Sequence, residues 1–157
     1  MKINGRLFDG PSVETVVFPR QGGDVVFRAK AVLDFKPFEQ ICPTPIPKTV
    51  MKPGGERLTL LKEPVYVKAI NDQAQRQTDW MVLQSLSATD GLEWDTVDLG
   101  DPSTWHRWVD ELKSAGFSML EINNLIDATT TACGMNQEKI EEATKRFLAG
   151  PVEEVED

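Results

Sequence analysis

Apolar and polar residues alternate in the first part of the chain, and this pattern predicts β-strands. Val13–Phe18 and Asp24–Leu33 are rich in β-branched residues and flank a glycine-containing loop, Pro19–Gly23. The apolar positions of the second segment recur at every other residue: Val25, Phe27, Ala29, Ala31 and Leu33. This spacing is typical of an antiparallel hairpin with one buried face. A further strand is expected around Ile3–Phe8, and so small a sheet must pack on helices or on another chain.

Prolines interrupt the pattern after a short helix that is expected over Phe35–Ile41, with Asp34 as its cap. Pro43, Pro45 and Pro47 each disfavour helix in the preceding residue, so this stretch is predicted to be extended. The segment over residues 43–63 therefore reads as a connector, with a turn at residues 52–55. It is either a strap over the protein's own surface or an arm that binds a neighbouring subunit.

Helical spacing follows the connector. Pro64 occupies a first-turn position after Glu63, which predicts a helix from there to about Leu86. One face of this helix carries Tyr66, Ile70, Ala74, Gln77 and Met81, with Trp80 beside them. The middle of the helix, residues 71–78, is polar on most sides and is expected to be exposed.

Three shorter helices with clear end signals are predicted at the C-terminal end. Asp101 is expected to cap the first, which would end at Gly116; Ser118 and Glu121 form a capping box for the second, and Asn136 caps the third. The expected apolar faces are Trp105, Trp108, Val109 and Leu112; then Ile122, Leu125 and Ile126; then Ile140, Ala143 and Phe147. The repeated arrangement of caps predicts a compact helical hairpin with short turns.

Together these elements predict an α+β fold. Residues 1–42 would form an N-terminal antiparallel hairpin sheet, and residues 43–63 a proline-rich extended arm. Residues 64–150 would form a C-terminal helical domain, and residues 151–157 an acidic tail. The length of 157 residues fits one domain or one domain with a small appendage.

Charge narrows the classes of function. The net charge of −8 argues against nucleic-acid binding, which requires Lys and Arg to neutralise phosphates. No apolar run approaches the roughly 18 residues of a membrane span, and no signal region follows the N-terminus. The two cysteines, Cys42 and Cys133, lie in no metal-binding spacing and predict a reducing compartment. We therefore expect a cytoplasmic protein that binds neither nucleic acid nor membrane.

Residues 91–108 hold most of the candidate chemistry. The four carboxylates there do not match the calcium-loop spacing; Asp101 suits a helix cap, and Asp95 or Asp98 suits an Asx turn. The single histidine, His106, has no nucleophile motif near it, and there is no phosphate-binding loop. No catalytic residue, metal site or cofactor is predicted. The opposing hypothesis is a small hydrolase-type enzyme acting through His106 with a nearby Asp or Glu.

Three of the four tryptophans, Trp94, Trp105 and Trp108, fall in this same stretch. They are expected to anchor the core, since aromatic side chains bury large apolar areas. Their grouping also suits a protein-binding hot spot, so they are candidate partner-binding residues together with Pro43, Pro45 and Pro47. Base stacking is disfavoured by the surrounding carboxylates.

Three segments resemble a group of small proteins encoded by tailed bacteriophages, some of them likened to tail assembly chaperones. The segments are VFRAKAVLDFKPFEQICP at residues 26–43, LEWDTVDLGDPSTW at residues 92–105 and NQEKIEEATKRFLAG at residues 136–150. The resemblance implies a non-enzymatic protein that works through protein–protein contacts in the host cell cytoplasm during phage assembly. Its partners would be the tape measure and tail tube proteins, and self-association is expected. The alternative is a minor structural component of the virion.

Overall fold

A computed structural model describes residues 1–150 of the protein and has the predicted α+β fold. The acidic tail predicted at residues 151–157 lies outside the described residues. Within the described part, six strands pair consecutively as three antiparallel hairpins. The strands are β1 (Lys2–Ile3), β2 (Arg6–Leu7), β3 (Val13–Phe18), β4 (Val25–Lys30), β5 (Thr49–Met51) and β6 (Arg57–Thr59). The helices are α1 (Lys36–Ile41), α2 (Pro64–Leu86), α3 (Trp108–Ser114), α4 (Met119–Ala132) and α5 (Gln137–Leu148).

The β3–β4 hairpin is the sheet that reaches the core. Its register places Val16 opposite Phe27, and Phe18, Phe27 and Ala29 are buried on its inner face. The strand predicted to run to Leu33 ends at Lys30. The amide of Ala31 still donates to the carbonyl of Ser12 at 2.8 Å, and the amide of Val32, which faces away from β3, donates to the Cys133 sulfur at 3.4 Å. Leu33, predicted to face inward, is consequently 79% exposed.

Two hairpins differ from the prediction. The single strand expected around Ile3–Phe8 is wrong: Asn4 and Gly5 adopt positive φ angles and reverse the chain, so β1 and β2 pair with each other. The connector over residues 43–63 was predicted to be extended, yet β5 and β6 form a hairpin around its Pro-Gly-Gly turn. Every residue of these four short strands is exposed.

Helix α2 divides into an exposed first half and a buried second half. Burial begins at Asp79 and includes Trp80, Val82, Leu83 and Leu86. The predicted stripe along the whole helix is therefore wrong at its centre: Ala74 and Gln77 are exposed. The polar stretch of residues 71–78 is exposed as predicted, apart from the half-buried Gln73.

The boundaries of the later helices follow their local signals, with one correction. Asp101 was expected to cap a helix directly, but a 3-10 turn at Trp105–Arg107 comes first and α3 begins at Trp108. Gly116 ends α3 at a φ of +92°, and the Ser118–Glu121 capping box starts α4. Asn136 caps α5 as predicted.

One hydrophobic core joins the sheet to the helices. It contains residues from β3, β4, α1, α2, the 3-10 turn, α3 and α4. The compact helical hairpin was predicted to include α5, and this is wrong because α5 has no buried residue. Its predicted core residues Ile140 and Phe147 are exposed, Phe147 at 83%.

Candidate functional site

Two of the three candidate tryptophans belong to the core. Trp105 is fully buried, and its indole N–H donates to the carbonyl oxygens of Asp98 at 3.1 Å and Leu99 at 3.2 Å. Trp108 is 2% exposed, and its indole N–H donates to the carboxylate of Asp79 at 2.9 Å. These bonds hold the 98–99 loop and α2 against the start of α3. Neither ring is available to a partner.

Trp94 differs from them because it is half-buried and lines an open groove of about 680 Å³. The Trp94 groove lies between the start of β4, the loop over residues 92–96, helix α3 and the α3–α4 junction. Its apolar lining comes from Val25, Phe27, Leu92, Trp94, Leu112 and Phe117. It is thus the one candidate tryptophan that a partner can reach.

Aromatic packing sets the floor of the groove beside the α3–α4 junction. Phe117 meets Phe18 and Phe27 edge-to-face, with ring centroids 5.7 and 5.5 Å apart. Arg20 lies over the Phe117 ring at 4.7 Å and pairs with Glu121 at 2.8 Å. The hydrogen bond from Arg20 is the main reason that the pKa of Glu121 lies below its ordinary value. The floor is therefore fixed from both the sheet and α4.

Four carboxylates line the rim of the Trp94 groove, those of Glu93, Asp95, Asp110 and Glu111. Among the described residues no Lys, Arg or His lines it directly, although Arg107 donates to the carbonyl of Thr96 at 3.3 Å beside it. Glu93, Asp95 and Asp110 are exposed and can meet a partner's cations. An apolar groove with such a rim is complementary to an apolar segment that is flanked by basic residues.

Glu111, on the rim of the groove, holds the loop that carries Trp94 in place through hydrogen bonds. Its carboxylate accepts hydrogen bonds from the amide of Asp95 at 2.9 Å and from the amide of Thr96 at 2.6 Å. Burial acts to raise the pKa of Glu111, but the hydrogen bonds from Thr96 and the neighbouring amides lower it by more. The pKa of Glu111 consequently lies below its ordinary value, and its charged form holds the loop that carries Trp94.

Asp98 and Asp101, the other carboxylates of residues 91–108, accept hydrogen bonds from residues of their own loop. Asp98 accepts from the amide of Gly100 at 2.8 Å, which is the Asx turn expected there. Asp101 accepts from both the amide and the hydroxyl of Ser103, and the hydroxyl bond is the main cause of its lowered pKa. Within residues 1–150 no cluster of three or more His, Cys, Asp or Glu side chains is arranged to hold a metal ion.

His106 lies at a second, shallower depression. Asp72, Asp79 and Ser103 also line it, so the histidine does have acidic neighbours. The Ser103 hydroxyl, however, donates to Asp101 at 2.7 Å, and His106 is exposed. Among the described side chains no serine or cysteine forms a hydrogen bond with His106 that would activate it as a nucleophile.

The proline segment has features of a strap over the protein's own surface and also of an arm that could bind a neighbouring subunit. Gln73 of α2 donates to the carbonyl of Cys42 at 3.1 Å, and Lys48 pairs with Glu63 at 3.3 Å, so the base of the arm lies along α2. Pro43 is exposed, whereas Pro45 and Pro47 are half-buried. Beyond them the β5–β6 hairpin exposes several large apolar side chains: Val50, Met51 and Leu58.

Sequence reasoning identified Trp94 but not the groove around it. The available signal was local, since Leu92 and Trp94 alternate with Glu93 and Asp95. Nothing in that pattern places Val25 and Phe27 of β4 opposite them, because the position of β4 depends on how the sheet packs against α2 and α4.

In the part of the chain that the structure describes, no helix has the length and apolar character required to cross a membrane. Comparison with family models, curated proteins and solved structures finds no match to this chain. The geometry of the Trp94 groove and the exposed apolar surfaces are therefore the grounds for a functional conclusion.

Proposed function

We propose that this protein is a non-enzymatic morphogenesis protein of a tailed bacteriophage, acting as a tail assembly chaperone or adaptor. Its partners would be the tape measure or tail tube proteins, met in the host cell cytoplasm during assembly. The observation that carries the proposal is the Trp94 groove, which is apolar inside and carboxylate-rimmed outside. The biological setting is an expectation from the resemblance of three segments to small proteins of tailed bacteriophages, some of them likened to tail assembly chaperones.

The groove suits one face of an amphipathic helix. A partner helix docks by apolar residues at i, i+3, i+4 and i+7, and basic residues beside them would meet Glu93, Asp95 and Asp110. Trp94 would supply the aromatic contact that dominates such interfaces. Covering the apolar face of a long partner helix would reduce its tendency to aggregate, which is the task of a chaperone.

Coexpression with tape measure and tail tube proteins tests the proposal. Wild-type protein should co-purify with one of them, and Trp94→Ala should lose most of the bound partner. Leu120→Ala is the matched control, because Leu120 is 77% exposed but does not line the groove. Failure of the wild-type protein to retain either partner, or equal loss in both variants, would overturn the assignment.

A second candidate is a minor structural component of the virion. The exposed apolar β5–β6 hairpin favours it, because a hairpin of this kind can add its strands or side chains to a neighbouring subunit. Mass spectrometry of purified virions separates the two roles. An assembly chaperone should be absent from finished particles, and a structural component should be present in them.

A further inference from the structure

The outer edge of β3 has backbone groups that point away from β4. In β4 the amide of Arg28 donates to the Thr89 hydroxyl at 2.9 Å, and that hydroxyl donates to the Arg28 carbonyl at 3.2 Å, so both groups of Arg28 point away from β3. Thr15 is paired with Arg28, and its own N–H and C=O consequently point away from β4. The same holds for Val13 and Val17, because the direction alternates along a strand. Among residues 1–150 no backbone group outside the hairpin bonds to these three residues.

The corresponding edge of β4 is closed, whereas that of β3 is open. Side chains bond to the β4 edge at Arg28 within the strand and at Val32 just beyond it. Strand β3 lacks the features that commonly protect an edge: it is six residues long, pairs without a bulge and contains neither Pro nor Lys. Val13 is 47% exposed and Val17 is 48% exposed. The edge of β3 is therefore accessible to an additional strand.

An acidic depression of about 510 Å³ lies beside the inner face of β3. The half-buried side chains of Glu14 and Val16 line it, together with Asp127 of α4 and with Glu138 and Lys139 of α5. Its charged groups are thus three carboxylates and one ammonium group. Within residues 1–150 the ion pairs involve none of these four groups, so the carboxylates are not neutralised by a neighbour. Inward-facing side chains of an added strand would lie at this depression, because residues opposite each other in a sheet share a face.

We propose that β3 binds an extended segment of another protein as an additional antiparallel strand, with a Lys or Arg of that segment opposite Glu14. The outward-facing backbone groups of β3 supply the ladder of hydrogen bonds. Glu14 and Val16 then occupy the positions between those bonds, where opposed side chains are closest. A basic residue suits the first position and an apolar residue the second. The depression shares no lining residue with the Trp94 groove, so this contact is separate from the proposed function.

Charge selects a basic segment in preference to a second copy of β3. Two β3 strands paired about Thr15 would bring a second set of the same three carboxylates, those of Glu14, Asp127 and Glu138, to one edge. Like charges repel, and each copy already has a net charge of −8. A segment with a Lys or Arg instead gives these carboxylates a partner of opposite charge.

Amide hydrogen exchange of the full-length protein, measured by NMR with a synthetic peptide, tests the strand addition. The peptide acetyl-Thr-Val-Thr-Lys-Thr-amide can place its Val opposite Val16 and its Lys opposite Glu14. At about 1 mM it should slow exchange of the Val13, Thr15 and Val17 amides at least about twofold. No slowing of these three amides, or protection that appears without peptide as the protein concentration rises, would overturn the proposal. The second result would mean that another copy occupies the edge.

Two N-methylated peptides provide the matched control for the backbone contact. Methylation of the central Thr removes the N–H that would donate to the Thr15 carbonyl, so this peptide should no longer protect the three amides. Methylation of the peptide Lys removes an N–H that would point to solvent, so this peptide should bind within about twofold of the parent. Equal binding of the two methylated peptides would exclude strand addition.

Charge reversal tests the recognition of a basic residue. At low ionic strength Glu14→Lys should weaken binding of the Lys peptide about fivefold and should strengthen binding of acetyl-Thr-Val-Thr-Glu-Thr-amide. Glu39→Lys makes the same change in net charge at an exposed position of α1 and should alter neither affinity by more than about twofold. Far-ultraviolet circular dichroism checks that each variant retains its fold. Equal effects of the two variants, or a wild-type preference for the Glu peptide, would contradict a basic partner.

Discussion

Asp79 and Trp108 form a buried hydrogen bond between α2 and α3, with the indole N–H donating to the carboxylate at 2.9 Å. Asp79 is 4% exposed and Trp108 is 2% exposed, and Gln75 also donates to the same carboxylate oxygen at 3.3 Å. An acidic residue in the most apolar part of α2 thereby satisfies the one polar group of a core tryptophan. This bond fixes α3, and with it one wall of the Trp94 groove, to the central helix.

Replacing Asp79 by Ala should destabilise the fold by about 1–3 kcal/mol, because the buried indole N–H loses its acceptor. Asp79→Asn retains an acceptor oxygen and should cost less. Urea unfolding measures both free energies. Asp72→Ala serves as the control, since Asp72 lies on the exposed half of α2 and pairs only with Lys68; its effect should stay below about 0.5 kcal/mol. An effect of Asp79→Ala as small as that of the control would show that the bond contributes nothing.

The capping box of α4 gives a second prediction. The Ser118 hydroxyl accepts from the amide of Glu121 at 3.3 Å, and the Glu121 carboxylate accepts from the amide of Ser118 at 2.9 Å. Ser118→Ala should therefore lower the unfolding free energy by about 1 kcal/mol. Asn123→Ala, at an exposed interior position of the same helix, should be neutral or slightly stabilising because alanine favours helix. Thermal unfolding that ranks the two variants in the reverse order would contradict the capping role.

Helices α4 and α5 have similar apolar stripes, but replacing an apolar side chain by alanine should lower the unfolding free energy far more in α4 than in α5. Ile122 of α4 is fully buried, so Ile122→Ala should cost about 2–5 kcal/mol. Phe147→Ala in α5 should change the unfolding free energy by less than about 0.5 kcal/mol in dilute protein, since its ring contacts little within one copy. Denaturant titrations at low concentration measure both. A large cost for Phe147→Ala under these conditions would mean that α5 packs on its own chain.

The features that sequence could predict are those determined by neighbouring residues. The helix ends at Gly116, Ser118 and Asn136 depend on hydrogen bonds that span only a few positions. The residue types at these positions are therefore enough to predict where the helices begin or end. The β5–β6 hairpin is not apparent from the sequence because its strands are three residues long and wholly exposed, so they have no alternation of buried and exposed positions. An apolar stripe predicts a buried face for α5, whereas the structure leaves that face exposed. Trp94 illustrates the same limit, because it lines a groove between β4 and α3, two elements that are far apart in the sequence.

Stability should also depend on pH through Glu111. Its pKa is lowered in the folded state, so its charge stabilises the fold at any pH above the ordinary pKa that Glu111 has in the unfolded chain. That contribution should be lost as the pH falls through the lower, folded-state pKa. Glu111→Gln should cost on the order of 1 kcal/mol at neutral pH, allowing for solvent screening. The difference from wild type should shrink below about pH 4, as urea titrations at several pH values would reveal; a constant difference at all pH values would contradict the argument.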